Sequence, residues 1–171
     1  PLAVFEITPD DHGVPTDLDA VYLVKGNLTT RLVDVRAGQT LDVWGPLGNG
    51  FLPQPTRHLI MVAGGIGQTP FVTLAKEYLG LANYGRDCPQ ADKVTLCYGA
   101  RNEGLLAGVE TFEAVPGLNV RLCTDDGSLG HHGLVTDVLK QVLEDDKQAH
   151  GSNEGVRVVC CGPEPMMEAV A

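Results

Sequence analysis

Hydrophobic positions change their spacing near residue 51. From there onward, short continuous apolar runs alternate with segments whose apolar residues recur every three or four positions. The first pattern is typical of strands buried on both faces, and the second is typical of amphipathic helices. Together they predict strands at 58–63, 93–100, 118–124 and 157–161, and helices at 70–81, 103–114, 133–144 and 163–171. Strands that alternate with helices in this way predict an α/β fold with a parallel sheet.

Residues 1–50 follow a different pattern. Segments 2–7, 20–25 and 40–44 are rich in β-branched and aromatic residues and are separated by turn residues, which predicts three short strands. Three strands are too few to close a barrel. We therefore expect 1–50 to be part of an antiparallel β-barrel domain and 51–171 to be an α/β domain. On this interpretation the chain is a fragment of a longer protein.

The carboxyl ends of the predicted strands are where a ligand is expected. Right-handed crossovers bring these ends to one edge of a parallel sheet, and open α/β sheets bind ligands there. Four junctions fall at this edge: Gly64-Gly65, Tyr98-Gly99, Thr124-Asp125 and Cys161-Gly162. We expect them to converge on one crevice.

A glycine-bearing turn follows the first of these strands. With no Cβ at Gly64, Gly65 and Gly67, backbone N–H groups can approach a diphosphate, and the next helix directs its positive end toward that charge. The alternative is a tight turn that only packs helix on strand. Pro70 stands where the third glycine of the dinucleotide fingerprint is expected, and no acidic residue closes the second strand. This disfavours a plain Rossmann dehydrogenase.

The last predicted strand ends at Cys161-Gly162-Pro163. Its position predicts that the polarisable Cys161 thiol lies against a nicotinamide ring and helps to hold it for hydride transfer. The alternative is a small buried hydrophobe, as we expect for its neighbour Cys160.

Three polar residues at the same edge are further candidates. The Asp125 carboxylate can accept hydrogen bonds from ribose hydroxyls or a carboxamide, or it is a solvated turn residue beside Asp126. The Thr69 hydroxyl either reaches a flavin or nicotinamide or caps the helix that Pro70 begins. Arg101 stands where a 2′-phosphate would be recognised, which leaves NADP open.

Composition narrows the possible partners. The chain has 22 acidic and 12 basic residues, a formal net charge of −10, and no run of basic residues. This charge disfavours nucleic acid and anionic membranes. The five cysteines include no C-x-x-C pair, which indicates a reducing compartment. No metal-ligand spacing is visible, and no apolar run approaches the ~20 residues of a membrane span, so we expect a cytoplasmic protein. The polar segments 83–92 and 145–154 are expected to be surface loops.

Two motifs carry a family resemblance. G-G-x-G-x-T-P at 64–70, followed by C-G-P-x-P-M at 161–166, resembles the ferredoxin–NADP⁺ reductase superfamily, in which a flavin-binding antiparallel barrel precedes a nucleotide-binding domain. Together with stretches 41–51, 98–101 and 124–130, they are similar to the electron-transfer subunits of type B dihydroorotate dehydrogenase.

The resemblance implies cofactors and a partner. Such a subunit binds FAD and a [2Fe–2S] cluster and exchanges electrons with NAD(H), and its partner is an FMN-containing catalytic subunit that oxidises dihydroorotate in pyrimidine biosynthesis. The four cluster cysteines of the family follow the C-G-P helix, and the sequence given ends before them. No cluster ligand is therefore assigned in this chain.

The resemblance also implies site residues. The flavin positions are Pro1, Leu2, Ala3, Tyr22, Leu23, Val24, Thr29 and Thr30. The nucleotide positions are Gly64, Gly65, Gly67, Gln68, Pro70, Arg101, Asp125, Gly162 and Pro163, with Cys161 and Thr69 as catalytic residues. Within the sequence given, the flavin motif departs from the family pattern, because Ala3 stands where a hydroxyl residue is expected and Val24 where a basic one is expected.

Two other functions stay open at this point. One is a stand-alone NAD(P)H reductase of the same superfamily that serves another acceptor. The other is a non-catalytic nucleotide-binding module that has lost its flavin, which the departures at the flavin motif favour.

Overall fold

A computed structural model describes residues 2–171, so Pro1, a predicted flavin contact, lies outside the described residues. The elements in chain order are β1 (Glu6–Pro9), β2 (Pro15–Asp19), α1 (Asn27–Leu32), β3 (His58–Gly64), α2 (Phe71–Tyr78), β4 (Lys93–Ala100), α3 (Val109–Glu113), β5 (Leu118–Thr124), β6 (His131–His132), α4 (Val135–His150), β7 (Val156–Cys161) and α5 (Glu164–Val170). Short 3-10 helices at Gly65–Gln68 and Glu103–Leu105 follow β3 and β4.

A parallel sheet forms the centre of the α/β region. Its strand order is β6-β5-β4-β3-β7, and every neighbouring pair is parallel. The predicted α/β class and parallel sheet are confirmed, and the four predicted strands agree with β3, β4, β5 and β7 to within one residue. Because the strands are parallel, their carboxyl ends share one edge, as the sequence predicted.

Helices cover both faces of β3, an interior strand that lies between β4 and β7. Leu59 and Met61 pack with α2 residues such as Phe71, whereas Ile60 and Val62 pack with residues of α4. This alternation is the period-two geometry of a strand. Since each fully buried side chain of this size contributes about 1.5–3 kcal/mol, both faces stabilise the strand and fix its position between the helices.

The predicted helix at 103–114 is wrong as a single helix. The segment instead forms the 3-10 helix Glu103–Leu105 and then α3. Gly108 separates them because it has a left-handed backbone with φ of 72°, which a continuous helix cannot contain. A Cβ at this position would lie 3.2 Å from the Phe5 ring, so the N-terminal segment packs closely at the break.

Helix α4 is longer than the sequence pattern predicts. It runs to His150, so the predicted loop at 145–154 is wrong over its first six residues. The last turns look polar, but Asp146 on them is 1% exposed and bonded to the start of β3. The helix ends at Gly151, whose left-handed conformation is a common C-terminal signal.

The predicted strands at 20–25 and 40–44 do not form, and the one at 2–7 overlaps β1 only at its end. The regular structure is instead the antiparallel pair β1–β2, followed by the unpredicted α1. A strand needs a neighbour for its ladder hydrogen bonds, and these two segments have none within residues 2–171. The side chain of Trp44 is accordingly 87% exposed. Across residues 2–171, no helix is long and apolar enough to cross a bilayer.

Candidate functional site

A cavity of about 510 Å³ opens at the carboxyl ends of β3, β4 and β5 and beside α5. We call it the strand-end cavity. Six residues predicted as site residues line it: Leu23, Gly64, Gly65, Arg101, Asp125 and Pro163. The structure therefore brings together, on one surface, residues that are far apart in sequence.

The other predicted site residues within 2–171 do not line the cavity. They are Leu2, Ala3, Tyr22, Val24, Thr29, Thr30, Gly67, Gln68, Thr69, Pro70, Cys161 and Gly162. The structure shows other surroundings for several of them.

The three glycines of the first turn have different surroundings. Gly65 has φ of 53° and no atom within 4 Å of where a Cβ would stand, so its backbone faces open space in the cavity. At Gly64 a Cβ would lie 2.6 Å from Met166 Sδ, and at Gly67 it would overlap the Cys161 carbonyl. Gly67 thus allows the turn to pack on the end of β7, and Gly64 allows it to pack on the start of α5. Only Gly65 of the three matches the open approach expected from the sequence.

Gln68 and Thr69 continue this turn into the interior. The Gln68 side chain is fully buried, and neither its Nε2 nor its Oε1 has a hydrogen-bond partner among residues 2–171. Thr69 is 5% exposed and ends the 3-10 helix through a bond from its N–H to the Ile66 carbonyl at 3.2 Å. The structure shows no side-chain cap on α2, so Thr69 does not cap that helix.

Cys161 lies at the end of β7 behind the first turn. It is half-buried and packs with the core on the α2 side of the sheet, whereas Cys160 packs on the opposite side. Burial raises the pKa of the Cys161 thiol, so the group is protonated at neutral pH. A neutral thiol can pack against a ring but is a poor nucleophile.

The predicted flavin residues are dispersed. Leu23 is the one that reaches the strand-end cavity. The Thr29 hydroxyl accepts a bond from the Lys25 N–H at 2.7 Å, and the Thr30 hydroxyl donates to the Gly26 carbonyl at 2.9 Å. Both hydroxyls are therefore used within the first turn of α1.

Part of the cavity wall consists of residues that the sequence did not predict as site residues. The start of α4 and residues along α5 supply a mostly apolar surface. Its members are Leu134, Val135, Thr136, Pro165, Met166 and Ala169, and the remaining lining residues are Ile66, Gly99, Ala100 and Leu105. Pro165 and Met166 belong to the C-G-P-x-P-M motif, which was the available signal. Leu134 and Val135 gave none, because they look like ordinary residues of an amphipathic helix.

A buried polar network lies at the opposite end of β3. His58 Nδ1 is 2.8 Å from Asp146 Oδ1, and its Nε2 is 2.9 Å from Thr95 Oγ1. Arg57 donates to Asp146 Oδ2 at 2.5 Å. The Arg57 hydrogen bond is the main cause that lowers the pKa of Asp146 to about 2, and burial lowers the pKa of His58. His58 and Thr95 are fully buried, so this network has no access to a substrate and is structural.

The described residues contain no cluster of metal-ligating side chains. Within residues 2–171, no three His, Cys, Asp or Glu side chains are grouped closely enough to hold a metal ion. The five cysteines are all free.

Curated relatives carry consistent descriptions. One from Methanocaldococcus jannaschii, described as a probable dihydroorotate dehydrogenase B (NAD(+)) electron transfer subunit, is 33% identical over 85% of this chain and 49% of its own length. One with the same description from Thermococcus kodakarensis is 34% identical over 85% of this chain and 53% of its own length. The chain therefore spans about half the length of the curated relatives it matches. The resemblance predicted from the motifs is confirmed.

Solved structures show the same fold. An NADH-dependent reduced ferredoxin-NADP oxidoreductase, described in connection with flavin-based electron bifurcation, superposes with a TM-score of 0.70 at 27% identity over 98% of this chain and 53% of its own. The cytochrome b5 reductase domain of Ulva prolifera nitrate reductase has a TM-score of 0.65 at 19% identity over 98% of this chain and 75% of its own, a likeness of fold alone.

The family assignment rests on the α/β region, which contains most of the strand-end cavity. Residues 61–171 match the oxidoreductase NAD-binding domain family. They include the glycine turn, the loops after β4 and β5, and α5. With the fold, the cavity and the match in agreement, this chain belongs to the oxidoreductase NAD-binding domain family.

Proposed function

We propose that this chain is the NAD-binding part of a flavin-dependent electron-transfer subunit. In this proposal the subunit passes electrons between NAD(H) and FAD, and onward through a [2Fe–2S] cluster to an FMN-containing dihydroorotate dehydrogenase catalytic subunit. The observation that carries the proposal is the strand-end cavity, where the open Gly65 backbone and the charged residues Arg101 and Asp125 meet on one surface.

The cavity has the size and chemistry for a pyridine nucleotide. Its volume of about 510 Å³ falls within the usual range for small-ligand sites. Gly65 offers backbone to a diphosphate, Arg101 supplies a positive charge, and the Asp125 carboxylate can accept bonds from ribose hydroxyls. The apolar wall at Val135 and Met166 suits the flat faces of the bases.

The nicotinamide, when bound, supplies the hydride chemistry. The role of this chain is to hold the nucleotide and to exclude water from one side of it. No protein general base is needed for such a transfer, so the protonated Cys161 thiol requires no proton acceptor.

The predicted flavin residues within 2–171 do not form one cradle, and no cluster ligands are grouped there. The hydroxyls of Thr29 and Thr30 are engaged inside α1, and Leu2, Ala3 and Val24 are exposed without forming a cradle. No metal-binding group exists in residues 2–171. FAD and the cluster therefore enter the proposal as what the motif resemblance implies, and a flavin also through the likeness to a structure described for flavin-based electron bifurcation. The catalytic partner enters through the description of the relatives as electron transfer subunits of dihydroorotate dehydrogenase B.

The proposal includes a location and a place in metabolism. Electron transfer to dihydroorotate dehydrogenase belongs to pyrimidine biosynthesis, and a cytoplasmic location fits the five free cysteines.

Calorimetric titration of the purified chain with NADH tests the proposal. We expect saturable binding, and we expect Gly65→Ala to weaken it about tenfold, because a methyl group would enter the space beside the backbone. Gly85→Ala is the matched control, since Gly85 also has a left-handed backbone with open surroundings and lies outside the cavity. A wild-type chain that does not bind NADH, or equal affinities in the two variants, would contradict the proposal.

One alternative is favoured by a specific observation. The Thr29 and Thr30 hydroxyls both donate their protons to the Gly26 carbonyl, so they offer none to a flavin diphosphate, as expected of a nucleotide-binding module without flavin. Titration with FAD separates the two functions. In the subunit extended to the length of its relatives, binding of both FAD and NADH supports the electron-transfer role, whereas binding of NADH alone supports the module.

A further inference from the structure

Two loops carry the charged part of the cavity wall. Arg101 follows β4, Asp125 follows β5, and both line the strand-end cavity. The side chains of residues 101–105 and 125–129 are all exposed, so apolar packing does not fix these loops. The separation of the two charges therefore depends on hydrogen bonds between the loops.

Backbone bonds join the loops where they leave the sheet. The Asp125 N–H donates to the Ala100 carbonyl at 3.0 Å, and the Asp126 N–H donates to the Arg101 carbonyl at 3.2 Å. These two bonds extend the β4–β5 pairing by two residues. They fix the backbone of the loops at their base, but they do not reach the outer part of the first loop.

Ser128 makes the connection further out. Its Oγ accepts a hydrogen bond from the Glu103 N–H at 2.9 Å, and its hydroxyl proton is donated to Asp126 Oδ1 at 2.6 Å. The Asp126 carboxylate also accepts the Ser128 N–H at 3.0 Å. The carboxylate thus orients the hydroxyl so that a lone pair faces the opposite loop. We call the bonds that Ser128 makes with Glu103 and Asp126 the clasp.

The second loop is anchored independently of the clasp. Thr124 is fully buried, and its hydroxyl both donates to the Leu129 carbonyl and accepts from the Leu129 N–H, each at 3.0 Å. This closes the base of the loop at 124–129. Ser128 therefore stands on a fixed support, and the bond to Glu103 restrains the loop that carries Arg101.

We propose that Ser128 is a positioning residue for the pyridine nucleotide, which acts by clasping the Arg101 loop to the Asp125 loop and so presetting the spacing of the two charges. The inference rests on the proposed function and deepens it. Without the clasp, both residues are still present, but the Arg101 loop must be ordered by the nucleotide itself, and affinity falls.

Four variants of the full chain test the clasp by NADH calorimetry. Ser128→Ala removes both hydroxyl bonds, and we expect about threefold to tenfold weaker binding. Ser128→Thr keeps a hydroxyl, so we expect it to bind NADH with the affinity of the wild type. Ser152→Ala is the matched control, because Ser152 also accepts a backbone N–H, that of Glu154, in an exposed loop far from the cavity.

The fourth variant, Glu103→Pro, removes the donor and leaves Ser128 intact. Glu103 is the first residue of a 3-10 helix, and Asn102 before it is extended with φ of −153° and ψ of 168°, which is compatible with a following proline. We expect its affinity to match that of Ser128→Ala. This variant also keeps the test valid if Ser128→Ala folds poorly.

Amide hydrogen exchange at Glu103 provides a readout that needs no nucleotide. Exchange should be slow in the wild type and Ser128→Thr, and fast in Ser128→Ala. Equal NADH affinity in the wild type and Ser128→Ala, or in the wild type and Glu103→Pro, overturns the inference while the proposed function stands. A wild-type chain that does not bind NADH overturns both.

Discussion

Replacing Asp146 by asparagine removes a charge that holds the end of α4 to the start of β3. The Asp146 side chain has no exposure to solvent and is bonded to both Arg57 and His58. An asparagine has nearly the same shape, but only one of its two terminal atoms is an oxygen that accepts hydrogen bonds. The other is an NH₂ group, which would face a donor of Arg57 or His58. The change therefore tests electrostatics rather than packing.

The structure gives the magnitude. The pKa of Asp146 falls from 3.8 to about 2 on folding, and at 1.36 kcal/mol per unit this corresponds to about 2 kcal/mol. A charge-assisted hydrogen bond is of the same size, about 1.5–3 kcal/mol. Arg57 is 25% exposed, so water screens part of its interaction. We expect Asp146→Asn to lower the free energy of unfolding by about 2 kcal/mol at pH 7, and Tm by about 4–8 °C.

The pH dependence identifies the cause. A carboxyl group whose pKa is lowered by folding stabilises the folded state at pH values above its unfolded pKa. For Asp146 this contribution is lost as the pH falls from about 4 to about 2. By pH 3 about half of the difference between wild type and Asp146→Asn should be gone. Burial lowers the pKa of His58 in the folded state. At pH values below the pKa of an unfolded histidine, the unfolded chain therefore binds a proton that the folded chain does not, and both the wild type and Asp146→Asn lose stability.

Urea denaturation at pH 7.5, 4.5 and 3 measures these differences. Asp145→Asn is the matched control, because Asp145 is the exposed neighbour on the same helix. NADH affinity should be unchanged in both variants, since the network lies at the opposite end of β3 from the strand-end cavity. Equal stability of the two variants at pH 7.5, or a loss in Asp146→Asn that does not vary with pH, would refute the reasoning.

Two further predictions concern residues at the carboxyl edge of the sheet. Gly67→Ala should lower the free energy of unfolding by several times more than Gly85→Ala in urea denaturation, because its Cβ would overlap the Cys161 carbonyl whereas Gly85 has open space. Similar losses would show that the turn can move away from β7. Asp125→Asn should weaken NADH binding about fivefold and NADPH binding less, as calorimetry with both coenzymes can show, because a carboxylate accepts ribose hydroxyls and repels a 2′-phosphate. Equal effects on the two would remove Asp125 from ribose recognition.

The sequence by itself determined the sheet. Continuous apolar runs such as 59–63 can be buried only between two layers, and the order of strands and helices then requires parallel pairing, with the carboxyl ends at one edge. The place of the cavity follows from this local information. Gly65 and Asp125 were predicted correctly as residues of that edge for the same reason.

Contacts between distant segments decided the rest. The local pattern at Gly67 predicts a ligand contact, but in the fold the end of β7 packs against this residue. The last turns of α4 have the polarity of a loop, because Arg57 and His58, which bind Asp146, are remote in sequence. A local pattern records how polar a residue is, but it does not record which partner satisfies it. The clasp between the β4 and β5 loops has the same origin, because a serine hydroxyl acquires its role only when folding brings a donor from another strand end within reach.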